Sequence, residues 1–172
     1  IYLRLYKRDS QRKDCIKKLR NKYLFKMESN KETEIDQDEV IKIKPVHEDE
    51  RGKIIDIVDG VEFVHAGIVT FKLGAIRGNH YHKQTEQINY ILKGKIKYFS
   101  KDLSKKDSKV KEAILVQGDM IVSPPFEWHS QEAIEESEML FFTKKIRGEG
   151  GFEDDVFRVS RDEIGDFELK TP

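Results

Sequence analysis

The stretch GAIRGNHYHKQTEQINYILKG, residues 74–94, carries the strongest fold signal in the chain. A glycine stands at each end, and between them lies a His-x-His pair, His80 and His82. On a β-strand, residues i and i+2 project to the same face, so both imidazoles can enter one cavity. Two imidazoles, completed by a carboxylate or amide and by a third imidazole, form a good set of ligands for a divalent metal. The stretch therefore predicts a strand that presents a histidine-lined site.

A second stretch, GDMIVSPPFEWH at residues 118–129, supplies the third imidazole, His129. Two prolines stiffen the turn that precedes it. Five residues separate Gly74 from His80, and five separate Gly118 from Pro124. A lone His-x-His is a weak signal, whereas two histidine stretches framed by glycines at fitting spacing are a much stronger one. The pair predicts that His129 joins His80 and His82 in one site.

Short strand-like runs surround the two histidine stretches and alternate with turn residues. They fall at residues 40–43, 53–58, 61–64, 67–73, 87–92, 95–99, 113–116, 120–122 and 139–144. Many short strands at roughly regular spacing favour a sandwich or barrel over an α/β fold. Near the end, residues 160–163 have the pattern of a capping box, which predicts a short C-terminal helix.

The formal net charge of zero over 172 residues hides an uneven distribution. Residues 1–26 carry ten Lys and Arg against two Asp, a net charge of +8, so the remainder carries −8. Apolar residues at helical spacing in the basic segment predict an amphipathic helix. We interpret 1–34 as a basic helical extension and linker, and 35–172 as the barrel domain. The other interpretation is an arm for nucleic acid or an acidic partner. No nucleic-acid motif accompanies the charge, so we expect no nucleic-acid partner.

Composition also bears on the compartment and the assembly. No run approaches the roughly 18 apolar residues that a membrane span needs, so we expect no membrane partner. The single cysteine, Cys15, excludes an intramolecular disulfide and is typical of a reducing compartment. No apolar leader-like segment is visible, and we expect a cytoplasmic protein. The predicted strands at 40–64 would leave sheet edges unprotected, which barrels often cover by pairing, so we expect a homodimer.

The two histidine stretches resemble the paired motifs of the cupin superfamily, G-x5-HxH-x3/4-E-x6-G and G-x5-PxG-x2-H-x3-N. The resemblance covers about residues 40–150. It implies an all-β, double-stranded β-helix (a cupin or jelly-roll barrel) whose lumen holds the site. Phe126 stands where the second motif usually has Gly, and Ala133 stands where it usually has Asn. The two preceding prolines can still hold the turn at Phe126.

The fourth ligand of the first motif is ambiguous in this sequence. Leaving three residues between the ligand and His82 gives Glu86, whereas leaving six residues between the ligand and Gly94 gives Gln87. Neighbours on a strand point to opposite faces, so the two assignments exclude each other. We favour Gln87, which shares a face with Asn89, although a neutral amide binds a divalent metal more weakly than a carboxylate. An inward Glu86 would restore a site of three histidines and one carboxylate.

Finer resemblances point to sugar-nucleotide chemistry. The DERG string at 49–52 and the IRGNHY string at 76–81 are similar to elements of dTDP-4-dehydrorhamnose 3,5-epimerases. The residues from His80 to Gln87, with 124–129, resemble dTDP-sugar 3,4-ketoisomerases. The string at 77–82 also resembles the C-terminal cupin of capsular-polysaccharide epimerase–reductases. These families imply isomerisation or epimerisation of a nucleotide-linked keto sugar in polysaccharide or deoxysugar biosynthesis. The first two work without a metal, and the third is associated with zinc.

Abstracting a proton next to a ketone needs a base with a pKa near neutrality, for which histidine is the default. We assign this role to His80, with His82 sharing or relaying the proton. Tyr98 is the candidate hydroxyl donor to the enolate oxygen, and its alternative is to fill the barrel interior. The candidate substrate-binding residues are Arg51 and Arg77 for a diphosphate and Trp128 for a sugar or base. Their alternatives are surface ion pairs for the arginines, and a plug of the barrel mouth or an oligomer contact for Trp128.

The expected cofactor is one divalent metal (zinc, iron, nickel or manganese) or none. Its ligands would be His80, His82 and His129, with Gln87 or Glu86 as the fourth. The expected partner is a small molecule, a nucleotide sugar. Two other functions stay open beside the sugar-nucleotide isomerase: another metal-dependent cupin, such as an oxygenase or sugar-phosphate isomerase, and a non-catalytic cupin that binds a small molecule.

Overall fold

The computed structural model describes residues 39–165. In that range it contains twelve strands: β1 Ile41–Lys42, β2 His47–Asp49, β3 Gly52–Ile54, β4 His65–Phe71, β5 Ile76–Tyr81, β6 Gln87–Lys93, β7 Lys95–Asp102, β8 Lys111–Val116, β9 Asp119–Ser123, β10 Glu127–Ala133, β11 Ser137–Thr143 and β12 Phe157–Arg158. One helical turn, Arg161–Ile164, follows them. The helical extension predicted within 1–34 lies outside the described residues.

The strands form two five-stranded antiparallel sheets. The first has the order β1-β9-β6-β11-β4, and the second has the order β12-β5-β10-β7-β8. From β4 onward the chain passes back and forth between the sheets, with only β7 and β8 as a hairpin within one of them. The remaining strands, β2 and β3, form a separate hairpin. This crossing pattern confirms the predicted all-β jelly-roll architecture.

The interior between the sheets divides into an apolar end and a polar end. Ile91 and Met139 of the first sheet pack with Ile96 and Leu115 of the second, and all four are at most 2% exposed. Each such side chain contributes about 1.5–3 kcal/mol on burial. At the other end the buried residues are polar: Asn89, Ser123, His129 and Gln131. The apolar end holds the sheets together, so the polar end is free to carry a site.

Several local predictions differ from the structure. The run at 53–58 forms a strand only over Gly52–Ile54, and β2 and β12 were not among the predicted runs. The run at 61–64 is not a strand: Val64 donates a single backbone hydrogen bond to Thr143 (3.0 Å), and Phe63 packs edge-on against Phe142. Phe63 is 43% exposed and Val64 is 63% exposed, so these apolar side chains do not form the buried face of a strand. Conversely, β10 was not among the predicted runs. Its polar sequence becomes a strand because β5 and β7 pair with it on both sides.

The predicted capping box is confirmed. The Ser160 side chain accepts the Glu163 amide, and the Glu163 carboxylate accepts the Ser160 amide at 2.8 Å. These reciprocal bonds begin the helical turn that places Ile164 in a small cluster with Phe99 and Trp128. In the described part of the chain, no helix has both the length and the hydropathy to cross a membrane.

Candidate active site and metal centre

Two adjacent strands of the second sheet carry the three histidines. His80 lies near the end of β5, and His82 follows that strand directly. His129 lies in β10 as the antiparallel partner of His80. The ring centroids are 5.0, 4.6 and 6.0 Å apart for the pairs 80–82, 80–129 and 82–129. One nitrogen from each ring lies within 4.8 Å of the other two, so the three predicted histidines form one cluster.

A bulge in β5 brings His80 into this position. Gly78 and Asn79 have φ values of 81° and 53°, and the register between β5 and β10 shifts beside His129. Glycine adopts this left-handed conformation without strain, and asparagine tolerates it better than most residues. A Cβ on Gly78 would also lie 2.8 Å from the His129 carbonyl oxygen. The Gly-Asn pair is therefore what lets β5 approach β10 closely and re-aims His80.

The turn before β10 is tied to the cluster through Phe126. This residue, which replaces the usual glycine, still has a left-handed φ of 64°. Its amide donates to the His82 carbonyl at 2.6 Å, and its own carbonyl accepts from Leu103 at 2.9 Å. The turn thus keeps the conformation that a glycine would favour, and its hydrogen bonds at both ends hold a bulky residue there.

Each histidine has its Nδ1 atom beside a backbone carbonyl oxygen. The distances are 3.0 Å from His80 to Gly78, 3.0 Å from His82 to Asp155, and 3.3 Å from His129 to Glu127. A carbonyl only accepts, so each Nδ1 carries the proton and each Nε2 keeps a free lone pair. The Nε2 atom of His82 is buried and has no hydrogen-bond partner. The ring nitrogens of the three histidines that lie within 4.8 Å of one another are thus suited to ligate one metal ion.

The cluster is uncharged at neutral pH. Burial, followed by repulsion from His82, lowers the pKa of His80 to about 4. Burial also lowers the pKa of His82, and burial with repulsion from the other two rings holds the pKa of His129 well below its ordinary value. Neutral imidazole is the ligand form for divalent metals. The histidines are thus ready to ligate without first releasing protons.

A chain of polar side chains lies beneath the cluster. Gln87 donates to Asn89 (2.7 Å), and Asn89 donates to Ser123 (3.3 Å). The Tyr98 hydroxyl lies 2.6 Å from the Ser123 hydroxyl and donates to the Glu127 carboxyl at 3.3 Å. Burial raises the pKa of Glu127 to about 8 and raises that of Tyr98 well above its ordinary value. This floor is therefore polar but essentially uncharged at pH 7.

Comparison with known proteins places the chain in a family. A family model described as Cupin matches residues 58–150, more than half of the chain. The protein is a cupin. A comparison with curated proteins gave no match.

Solved cupin structures with the same fold include sugar-nucleotide isomerases and epimerases. A 3,4-ketoisomerase from Helicobacter canadensis has a TM-score of 0.58 at 17% identity, covering 69% of this chain and 88% of that one. A dTDP-4-dehydrorhamnose 3,5-epimerase from Sulfolobus tokodaii has a TM-score of 0.60 at 22% identity, covering 76% and 81%. A Legionella pneumophila 3,5-epimerase in complex with dTDP-4-keto-L-rhamnose has a TM-score of 0.63 at 17% identity, covering 81% and 83%. At these identities the likeness establishes the fold.

The cupin places the two candidates for a fourth ligand on different sides of β6. Gln87 begins the strand on its inner face and lies beside His82. Glu86 is at the surface, where it pairs with Lys144 at 3.2 Å. The amide rather than the carboxylate therefore faces the histidines.

Tyr98 lies in the floor of the site. Its ring is nearly parallel to that of His129, with an angle of 8° and centroids 6.2 Å apart. The ring is fully buried, and the hydroxyl is already bound to Ser123 and Glu127. In this structure the Tyr98 ring fills the barrel interior beside His129, and its role as hydroxyl donor to a substrate stays a prediction.

The arginines fall in different places. Arg51 lies in the exposed turn between β2 and β3 and pairs with Asp49, one of the surface ion pairs weighed as its alternative. Arg77 lies on β5 with its guanidinium 5.5 Å from the Phe71 ring. It lines a cavity of about 520 Å³ together with Arg158, which is the partner of His80 in the β5–β12 pair. Within residues 39–165 neither Arg77 nor Arg158 is paired with a carboxylate.

Trp128 lies on the opposite face of β10 from His129. It is fully buried, packs with Phe99 and Ile164, and donates its indole N–H to the Val159 carbonyl at 2.8 Å. The structure does not bring it to the histidine cluster. This position agrees with a packing role for the tryptophan.

Three residues at the site were not predicted from the sequence: Glu127, Asp155 and Arg158. Glu127 could have been found from the sequence. It stands two residues before His129 in a stretch that forms a strand, so the two side chains share one face of that strand. Asp155 and Arg158 are more than 70 residues from His82 and His80 along the chain and belong to no motif. Only the tertiary fold brings them to the histidines.

Proposed function

We propose that this cupin isomerises or epimerises a nucleotide-linked keto sugar in polysaccharide or deoxysugar biosynthesis, in the cytoplasm. The observation that carries the proposal is the position of Arg158, which has no carboxylate partner among the described residues, opposite His80 of the neutral histidine cluster. Arg158 and Arg77 also line a cavity beside β5 that contains Glu163 and none of the three histidines. A guanidinium is suited to phosphate oxygens, and a neutral imidazole is suited to accept a proton beside a ketone. The sugar-nucleotide enzymes that share this fold support the same chemistry.

In this proposal His80 accepts the proton from the carbon next to the ketone. It is the most accessible histidine of the three, and its Nδ1 proton is held by the Gly78 carbonyl, so Nε2 faces the substrate. Arg158 is one of the groups that lower the pKa of His80. Burial and His82 lower it more, so the pKa of about 4 lies below the near-neutral value expected of the base, and a diphosphate bound to Arg158 would raise it only in small part. His82, whose ring centroid is 5.0 Å away, is the candidate to share or relay the proton.

The same three nitrogens also fit a divalent metal. The fit rests on the donor set itself: one nitrogen from each ring lies within 4.8 Å of the other two, and Nε2 of His82 is buried without a hydrogen-bond partner. His80, His82 and His129 would hold the ion, with Gln87 beside them. When bound, such an ion supplies Lewis-acid polarisation of a substrate oxygen. The convergence favours, as a second candidate function, a metal-dependent cupin of another kind, such as an oxygenase or sugar-phosphate isomerase.

Metal content separates direct proton transfer by the histidines from a metal-assisted reaction, whether that of a zinc-type epimerase cupin or of another metal-dependent cupin. The protein would be purified without chelator or added metal and assayed by mass spectrometry, alongside His129→Ala and the exposed control His47→Ala. About one metal per chain in the parent and the control, lost in His129→Ala, would establish the metal site. A metal-free parent protein would favour direct proton transfer by His80.

Catalysis is tested by solvent exchange. Incubation with a dTDP-linked 4-keto sugar in heavy water should incorporate deuterium next to the ketone, and His80→Ala should abolish the incorporation. Binding of the sugar nucleotide without any deuterium incorporation would contradict the isomerase and support a binding-only cupin.

We also propose that the cupin forms a homodimer. Among the described strands β4 pairs only with β11, so it is an open edge of the first sheet. Two apolar side chains at that edge are exposed: Val64 at 63% and Ile68 at 62%. A second copy of the chain that covered this edge would pair the open strand and bury the exposed apolar side chains. In analytical ultracentrifugation Ile68→Lys should sediment as a monomer, whereas Ile114→Lys on β8 should not, and a monomeric parent protein would refute the proposal.

A further inference from the structure

A segment near the end of the described chain is hydrogen-bonded to β5 and β10, the two strands that carry histidines. We call residues 155–159 the strap. Within it, Phe157 and Arg158 pair with Tyr81 and His80 of β5. The Val159 amide donates to Asn79 at 2.9 Å, and its carbonyl accepts from the Trp128 indole at 2.8 Å. The strap therefore reaches residues next to each member of the histidine cluster.

Asp155 is the residue at which the strap meets His82. Its side chain is buried, with 7% of the residue exposed, and its carboxylate accepts four hydrogen bonds. The donors are the amides of Lys83 (3.0 Å), Gln84 (2.9 Å) and Thr85 (2.8 Å), and the Thr85 hydroxyl (2.8 Å). Burial acts to raise the pKa of Asp155, but these bonds outweigh it and the pKa is lowered. A charged carboxylate thus organises the turn that directly follows His82.

The same residue also holds the imidazole. The backbone carbonyl of Asp155 accepts from Nδ1 of His82 at 3.0 Å. The Asp155 carbonyl therefore holds the His82 ring, and the Asp155 carboxylate holds the three residues that follow His82. If the carboxylate were removed, the carbonyl would remain but would no longer be anchored to the turn. The ring could then rotate, and the tautomer with the proton on Nε2 would compete.

We propose that Asp155 is a positioning residue that fixes the ring orientation and tautomer of His82, and so aims its Nε2 at His80 and His129. The proposal rests on the proposed function only in assigning Asp155 to the same site. If Asp155 only held the turn, its removal would lower the stability of the protein but would leave the ring orientation and tautomer of His82 unchanged.

A graded series of variants tests it. Thr85→Val removes one of the four hydrogen bonds, Asp155→Asn weakens the set, and Asp155→Ala removes it. Asp154→Asn is the matched control, because Asp154 is the exposed neighbour and accepts only from the Gly150 amide, at 2.6 Å. All are studied without metal and below their unfolding temperatures.

The first readout is the tautomer of His82, from long-range proton–nitrogen spectra of histidine-labelled protein. The parent and Asp154→Asn should show the proton on Nδ1. The Nε2–H form should appear in Thr85→Val and increase through Asp155→Asn to Asp155→Ala. A folded Asp155→Ala protein in which His82 keeps the Nδ1–H tautomer would overturn the proposal. If Asp155→Ala does not fold, Thr85→Val and Asp155→Asn decide on the same criterion.

The second readout is zinc affinity, measured by competition with a chromophoric chelator. Removal of an outer group that orients a metal ligand typically costs about 10–100-fold in affinity. We expect a loss of that size in Asp155→Ala, a smaller one in Thr85→Val, and none in Asp154→Asn. Unchanged zinc affinity in folded Asp155→Ala would count against the proposal. If the parent binds no zinc, the metal site fails, and the tautomer measurement still decides the role of Asp155.

Discussion

Replacing Glu127 by glutamine should change how stability depends on pH. In the folded protein, burial raises the pKa of Glu127 to about 8, from an ordinary value of 4.5. Between these two pH values the folded state binds more protons at this group than the unfolded state does. Stability must therefore fall as pH rises from about 4.5 to about 8 and level off above that. Glutamine has the same shape and never ionises, so the variant should lack this component.

The size of the effect follows from the two pKa values. At about 1.4 kcal/mol per pKa unit, the gap between them gives a ceiling of about 5 kcal/mol. Part of the Glu127 side chain reaches solvent, which reduces the cost of its charge. We therefore expect Glu127→Gln to gain about 2–4 kcal/mol over the parent protein between pH 4.5 and pH 9.

Urea unfolding at unit steps from pH 4 to pH 9 measures this difference. Both proteins are treated with chelator, so contributions from the histidines cancel between them. Glu138→Gln, on the exposed side of β11, controls for the loss of one negative charge. The reasoning is refuted if the parent and Glu127→Gln curves stay parallel across this range, or if the parent gains on the variant as pH rises.

Three further substitutions have defined outcomes. Gln87→Glu places a charge beside the histidines and should raise zinc affinity in chelator competition, and an unchanged or lower affinity would contradict the inward position of residue 87. Gly94→Ala forces a Cβ onto a residue with a φ of 82°, against the Ser137 side chain. It should lose about 2 kcal/mol or more in urea unfolding, and full stability would refute the tight turn. Trp128→Phe loses the indole bond to Val159 and should cost about 1–3 kcal/mol with zinc affinity unchanged; a loss of zinc affinity would show that Trp128 acts on the site.

The histidine cluster could be predicted from the sequence because its geometry is mostly local. The spacing of His80 and His82 puts both on one face of a strand, and glycine spacing links them to His129. The choice between Glu86 and Gln87 likewise follows from strand alternation counted from Gly94. Period-two alternation carries this information without any knowledge of the partner strands.

The groups that orient and surround the cluster could not be predicted in this way. Asp155 acts through a carboxylate on three consecutive amides and through a carbonyl, and neither interaction leaves a pattern in the sequence. Arg158 reaches His80 only because β12 adds to the edge of β5. At Phe126 the sequence suggests a change that the structure does not show. The residue departs from the motif, yet its backbone keeps the left-handed conformation. Tertiary hydrogen bonds, rather than residue type, fix that turn.

Burial acts in two opposite senses around this site, and the result bears on the ligand. It lowers the pKa of the three histidines and raises that of Glu127, so both kinds of group are uncharged at neutral pH. Asp155 keeps its charge, but four hydrogen-bond donors compensate it. At the edge of β5, the guanidinium groups of Arg77 and Arg158 have no carboxylate partner among the described residues. A neutral interior beside these two guanidinium groups agrees with the proposed function, because a keto sugar linked to a nucleoside diphosphate has an uncharged reacting end and an anionic other end.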